Sequence, residues 1–253
     1  METLRVERDA GIVTVNLARP DVRNAFNTTL VHELIQTFGS IDESARVVIL
    51  QGDGAVFCAG ADLAMMQEST TYSVEQNVSD ARTMAKVFEV VDRCPVPVIG
   101  RIHGAAMGGG LGLVACCDIA IADDQTKFAL TEVKLGLVPA VISPYVIAKI
   151  GVGPARRYFV TGEIFDARTA KEIGLIHEAV DGESVDDQVM LCVDAIRANG
   201  PKAVRAAKKL IHDVSGRGDH TAMTTQLIAD LRVSAEGQAG LNAFLAKKKP
   251  SWS

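Results

Sequence analysis

No stretch of this sequence stays apolar long enough to cross a bilayer. A spanning helix needs roughly 20 apolar residues, and the longest compact run, Val96 to Ile102, is broken by Pro97, Gly100 and Arg101. The first residues, METLRVERDAG, lack the apolar core of an export signal, so a cytoplasmic location is expected. A cysteine framework is missing as well. The five cysteines, Cys58, Cys94, Cys116, Cys117 and Cys192, are odd in number and form no CxxC. That points to reduced thiols rather than disulfide staples or a zinc site. No histidine pair has metal-ligand spacing, so no metal is expected. There is no basic excess: 26 Lys and Arg face 31 Asp and Glu, for a net charge of −5. The positive field that nucleic acid or an anionic membrane demands of its main partner is therefore absent. No Gly-Lys-Ser/Thr follows the glycine run at 108–110, which excludes a Walker phosphate loop, and the run lacks the strand–turn–helix frame of a dinucleotide fingerprint.

What remains is an ordinary globular composition: 253 residues, 48% hydrophobic and 23% charged. That suffices for one large domain or two small ones. Val13, Val15 and Leu17 alternate with polar residues, a strand period, and Pro20, Asp21 and Asn24 then break the pattern. Leu30, Val31, Leu34, Ile35 and Phe38 recur at helical spacing, and Val47 to Leu50 reads as a buried strand closed by Gly52, Asp53 and Gly54. Ala81, Met84, Ala85, Phe88 and Val91 mark a second helix, stopped by Pro95 and Pro97. Val98–Ile102 and Ile119–Ala122 read as strands, with a glycine-rich then helical stretch from Gly104 to Cys116 between them. This alternation predicts a parallel α/β layer with right-handed crossovers. Apolar stripes at 189–196, 203–214 and 223–231 predict a last third made mostly of helix.

Three segments stand out chemically. FCAGADL, Phe57 to Leu63, is a small-residue turn that opens a helix, where free backbone N–H groups can face an anion or a carbonyl oxygen. HGAAMGGGLGL, His103 to Leu113, holds three consecutive glycines at a cost of about 1 kcal/mol each in helix propensity. Something there needs bare backbone, either a ligand or another part of the chain. FALTEVKLGLVPAVISPY, Phe128 to Tyr145, sets the lone acid Glu132 among apolar residues. An apolar setting raises a carboxyl pKa toward a useful range. His103, Asp118, Cys116 and Cys117 are read as structural groups rather than reactive ones.

Taken together, these segments resemble the crotonase family, the enoyl-CoA hydratase/isomerase superfamily, from about Val13 to Trp252. RPDVRNAFN, VTGEIFDARTAKEIGLIHE and GLNAFLAKKKPSW add to the match in the family's order. The resemblance implies an α/β crotonase (ClpP-like) spiral of ββα turns with a C-terminal helical region. The spiral core is expected at 1–195, and a helical trimerisation region of a homotrimer or homohexamer at 196–253. It also implies an oxyanion hole for a CoA thioester formed by the N–H groups of Ala61 and Gly109, each such donor contributing about 2.7–4 kcal/mol. CoA contacts are expected near Arg23, Ala25, Ala59, Asp62 and Leu63, with Phe244 and Lys247 meeting the nucleotide of a neighbouring subunit. Coenzyme A is then part of the substrate, and no separate cofactor is implied.

Hydratases that this chain resembles use two glutamates around one water. The second maps onto Glu132 and the first onto Gly112, where no carboxylate stands. Three readings follow. Glu132 alone serves a hydro-lyase that adds water to a 2-enoyl-CoA, with Ser143 or Tyr145 holding the water. Alternatively, Glu132 moves a proton in an enoyl-CoA isomerase. In the third, the chain is a non-catalytic CoA- or RNA-binding relative. The first is preferred because the text resembles a bacterial subgroup assigned to 3-methylglutaconyl-CoA or related branched enoyl-CoA hydratases, in fatty acid or branched-chain amino acid breakdown. Gly112 is expected to leave room for a branched acyl group and to reduce repulsion of a substrate carboxylate.

Overall fold

The computed structural model describes residues 1–216, 218–250 and 252. Its frame is a six-stranded sheet ordered β1-β2-β3-β4-β6-β9, made of β1 (Leu4–Asp9), β2 (Ile12–Leu17), β3 (Val47–Gly52), β4 (Val98–Ile102), β6 (Ile119–Asp123) and β9 (Glu178–Val180). β1 pairs antiparallel with β2, and every later pairing is parallel. Three short strands, β5 (Ala105–Met107), β7 (Lys127–Ala129) and β8 (Phe165–Asp166), form a second sheet ordered β5-β7-β8.

Parallel strands joined by helices are covered on both faces and read as unbroken apolar runs. β3, VVILQG, is the example. Val48 and Leu50 enter the main core, whereas Val47 and Ile49 point to the opposite face, where Ile99 and Ile121 join them. Helix α8 (Val185–Arg197) covers that second face with Val185, Val189 and Val193. The main core is closed by α1 (Thr28–Gly39), α3 (Val74–Asp92), α4 (Gly109–Cys116) and α5 (Ser143–Ile150), with α2 (Leu63–Ser69) lying at the surface. Local signals set the helix starts. Asn27 accepts the Leu30 N–H at 2.8 Å before α1, and Ser73 and Gln76 form a reciprocal capping box before α3.

The predicted strands at 13–17, 47–50, 98–102 and 119–122 and the predicted helical stripes are all present. The glycine-rich stretch divides into β5 and α4. The sequence reading missed β1, β5, β7, β8 and β9 and the helices α5, α6 (Val152–Thr161) and α7 (Ala167–Glu172). Among the described residues, no helix is long and apolar enough to cross a membrane.

The C-terminal part is helical: α9 (Pro201–Val214), α10 (Thr221–Val233) and α11 (Ala235–Leu245). Glu236 of α11 accepts the N–H groups of Lys202 and Ala203 at the start of α9, where a carboxylate complements the helix dipole. Neither α10 nor α11 buries a residue within the chain. The link from this region to the sheet is polar. Lys208, 7% exposed, donates to Asp118 Oδ2 at 2.6 Å and to the Val96 carbonyl at 3.1 Å. The same Asp118 oxygen accepts the Val98 N–H at 2.7 Å, so this side chain anchors the start of β4. Cys116 and Cys117 are buried packing groups, and burial pushes the Cys117 thiol up to about 12.

Replacing Asp118 strands a buried ammonium and a strand N–H together. We expect Asp118→Ala to lose on the order of 2 kcal/mol of stability, read as a lower urea midpoint with an unchanged m-value.

Candidate active site

Glu132 opens a 3₁₀ turn, Glu132–Leu135, just after β7. Met107 of β5 lies opposite Ala129 of β7, and the Gly108 N–H donates to the Ala129 carbonyl at 2.9 Å. That pairing carries the start of α4 to Glu132. Gly108 precedes α4 at φ 48° and ψ −117°, a backbone setting open to glycine and closed to side chains. A Cβ there would sit 3.1 Å from Glu132 Oε1.

The other edge of β5 is stitched to the 57–61 segment: Cys58 N–H donates to Ala105 O, and Met107 N–H to Cys58 O. That segment is in turn bridged to the loop before α1. Phe26 N–H donates to Gly60 O at 2.7 Å and Asp62 N–H to Phe26 O at 2.9 Å, a ladder that leaves the Ala61 N–H on its other side. Gly109 is the first residue of α4, and the first N–H groups of a helix have no intrahelical partner. Ala61, Gly109 and Glu132 line one cleft of about 460 Å³ and an adjoining cavity of about 190 Å³. The large polar hollow by His103 and Asp186, about 550 Å³, contains none of these groups.

Glu132 Oε2 is buried without a hydrogen-bond partner. Loss of hydration raises its pKa above the ordinary carboxylate value, and a backbone hydrogen bond only partly opposes this. Negative charge is favoured at the α4 N-terminus. The arrangement therefore offers a protonatable carboxyl beside two backbone donors, which is what proton transfer next to a carbonyl requires.

The family-model comparison matches the description "Enoyl-CoA hydratase/isomerase" over residues 7–253. The chain belongs to the enoyl-CoA hydratase/isomerase family. The crystal structure of an enoyl-CoA hydratase from Shewanella pealeana ATCC 700345 is 40% identical, covers 99% of this chain and 96% of its own, and superposes with a TM-score of 0.94. Enoyl-CoA hydratase ACTT6 of Alternaria alternata is 32% identical over 98% of this chain and 83% of its own length. A trans-2-decenoyl-acyl-carrier-protein isomerase of Streptococcus mutans is 25% identical over 97% of this chain and 95% of its own. The fold is thus the α/β crotonase fold with a helical C-terminal region.

Within this family member, Ala59 and Leu63 line the 460 Å³ cleft with the three central residues, and Leu63 is 82% exposed there. Arg23 sits exposed in the left-handed region and its carbonyl accepts the Ala59 N–H. Ala25 is buried, its carbonyl taken by Arg19 Nη1. Asp62 caps α2 through the Ala64 N–H and pairs with Arg19 at 2.9 Å, which together hold its carboxyl below the usual range. Phe244 lies in the last turn of α11 and Lys247 just beyond it, and they line neither cavity; Phe244 is 80% exposed.

Ser143 and Tyr145 are not brought to the cavity. Ser143 turns its hydroxyl back to the Ala140 carbonyl, and Tyr145 packs on Phe88, ring centroids 6.2 Å apart. Gly112 does not give a substrate room either. A Cβ at Gly112 would lie 2.4 Å from Ile142 Cγ2 and 2.9 Å from Phe88 Cε1, so the chain itself already fills that space. Chain packing accounts for bare backbone at several of these glycines: a Cβ at Gly109 would lie 3.0 Å from the Phe26 ring and one at Gly110 2.5 Å from the Cys58 carbonyl. His103 Nε2 donates to the Gly54 carbonyl, and its Nδ1 is buried without a partner. Among the described residues, no group of three or more His, Cys, Asp or Glu is placed to hold a metal ion.

The apolar lining of the smaller cavity, including Phe26, Met84, Phe88, Val141 and Ile142, was missed from sequence. Met84 and Phe88 were visible as a helical stripe, but periodicity does not separate residues against core from residues against a cavity.

Gly108→Ala forces a strained φ and crowds Glu132. We expect a folded protein whose kcat/KM on a CoA thioester falls about 100-fold, the order seen when reacting groups shift by an ångström, measured beside an unaltered far-UV spectrum.

Proposed function

We propose that this protein is a hydro-lyase that adds water reversibly across the 2,3 double bond of a 2-enoyl-CoA, with Glu132 as its one acid–base group. The observation that carries this reading is the partnerless buried Glu132 oxygen, in the same cavity as the Ala61 and Gly109 N–H groups. The thioester oxygen accepts from these two donors. Water adds at Cβ, and the π electrons shift to the thioester oxygen as an enolate. The protonated Glu132 gives its proton to Cα through one oxygen and takes the proton of the adding water through the other. The carboxyl ends as it began, and the product gains one water. Each lost donor would cost about 2.7–4 kcal/mol of transition-state stabilisation.

Double-bond migration is the second reading, favoured by the absence of a carboxylate at Gly112 and by the filled space there. A carboxylate Glu132 would take a proton from Cα of a 3-enoyl-CoA and return it to Cγ, without water. Among the described residues, the lining of both cavities holds no Lys, Arg or His. A second substrate carboxylate, as in 3-methylglutaconyl-CoA, would meet no cation there, which favours an uncharged acyl group.

The CoA portion would lie along Ala59–Leu63 and the loop at Arg23. The exposed apolar side chains of residues 196–253, among them Val233, Phe244 and Leu245, suit contact with further copies in a homotrimer or homohexamer. Phe244 and Lys247 would then reach a neighbour's nucleotide.

The pH dependence distinguishes the two reactions, because they need opposite forms of one group. Burial raises the Glu132 pKa, so the acid form persists above the ordinary carboxylate range. Hydration of crotonyl-CoA should fall as pH rises through that raised value, whereas isomerisation of a 3-enoyl-CoA should rise through it. Glu132→Gln should lower either activity at least 100-fold while CoA thioester binding persists. Full turnover in that variant would remove Glu132 from the chemistry.

A further inference from the structure

Phe88 and Ile142 share a property that the reaction does not use. Each lines the 190 Å³ cavity and each also fills the space above Gly112. They come from different elements: Phe88 from the C-terminal part of α3, and Ile142 from the residue that precedes α5. Both are almost wholly buried, so neither is free to swing into solvent. The backbone of α4 at Gly112 is the surface that Ile142 rests on, with its Cγ2 and Cβ both inside the contact distance of any added side chain. The cavity therefore ends where this apolar wall stands, and the wall stands where it does because residue 112 has no side chain.

We infer that Ile142, seated on the bare backbone of Gly112 and flanked by Phe88, is a specificity-determining residue that limits the acyl group to a small, uncharged one. This rests on the thioester reading of the cleft. Shortening Ile142 opens the cavity toward α4. A methyl at position 112 acts the other way, because Ile142 must yield into the cavity. Opposite shifts from two residues in contact are the signature of the wall, and loss of packing alone does not produce them.

The test measures binding of butyryl-, isovaleryl-, hexanoyl-, octanoyl- and decanoyl-CoA by calorimetry, and turnover of the matching 2-enoyl-CoA series. The proteins are the full chain as wild type, Ile142→Val, Ile142→Ala and Gly112→Ala. Melting temperatures establish which variants are folded. Ile142→Ala should raise the preference for octanoyl over butyryl about 10-fold or more, the scale of a methylene's worth in an apolar pocket. Ile142→Val should move it less in the same direction, and Gly112→Ala should move it toward butyryl. If Ile142→Ala does not fold, Ile142→Val carries the comparison. An unchanged profile in a folded Ile142 variant, or a Gly112→Ala profile shifted to longer chains, overturns the inference while leaving the thioester reading intact. Failure of the wild type to bind any member of the series overturns both.

Discussion

The strand β5 is three residues long, and the site depends on its being held along both edges. One edge bonds to the 57–61 segment and the other to β7. The first pairing brings the Ala61 peptide to the cleft, and the second brings Glu132. The strand then runs directly into Gly108 and α4, so the Gly109 N–H arrives between them. None of the three groups is placed by a long or strong interaction of its own. Each is placed by backbone hydrogen bonds, which fix position closely because both partners belong to the main chain. A site built in this way tolerates side-chain change around it and tolerates little change in the turn at Gly108, whose conformation excludes other residues.

Two electrostatic effects compete at Glu132. Loss of hydration disfavours its charge, and the nearby N-terminus of α4 favours a negative charge. Burial raises the carboxyl's pKa through loss of hydration, and a hydrogen bond from its own backbone only partly opposes this. In the proposed reaction, the Ala61 and Gly109 N–H groups would serve the substrate oxygen instead. The cleft is thus suited to hold one negative charge at a time. In the proposed reaction, a charge on the thioester oxygen would be best accommodated when the carboxyl is neutral, and proton transfer between Cα and Glu132 would move the charge from one to the other. A second carboxylate at Gly112 would add a like charge to this small space.

The strands that pack on both faces were legible in the sequence, because β3, β4 and β6 are short apolar runs bounded by turns. β1 was not, since LRVERD carries charge at nearly every other position and is ordered by pairing with β2. β5, β7 and β9 are three residues each, too short for any period to register. At the site, Glu132 could be singled out as a lone acid among apolar neighbours, while the roles of Ala61 and Gly109 came from resemblance, since a backbone N–H leaves no mark on composition. The expectation of room at Gly112 failed for a physical reason. A missing side chain creates space only if nothing else moves in, and the residue that moved in, Ile142, comes from a distant part of the chain.

That replacement also bears on stability. An unfilled cavity in a core costs stability roughly in proportion to its volume, so a glycine in the middle of a buried helix is a liability unless another side chain takes the space. Here α4 is buried along nearly its whole length, and Ile142 and Phe88 close over Gly112 below van der Waals contact for any substituent. Restoring a carboxylate at position 112 alone would force apart the wall against which the acyl group is proposed to rest. The single-carboxyl site and the small apolar cavity are therefore one structural solution: the residues that fill the place of a second acid also wall the cavity in which the acyl group is proposed to lie.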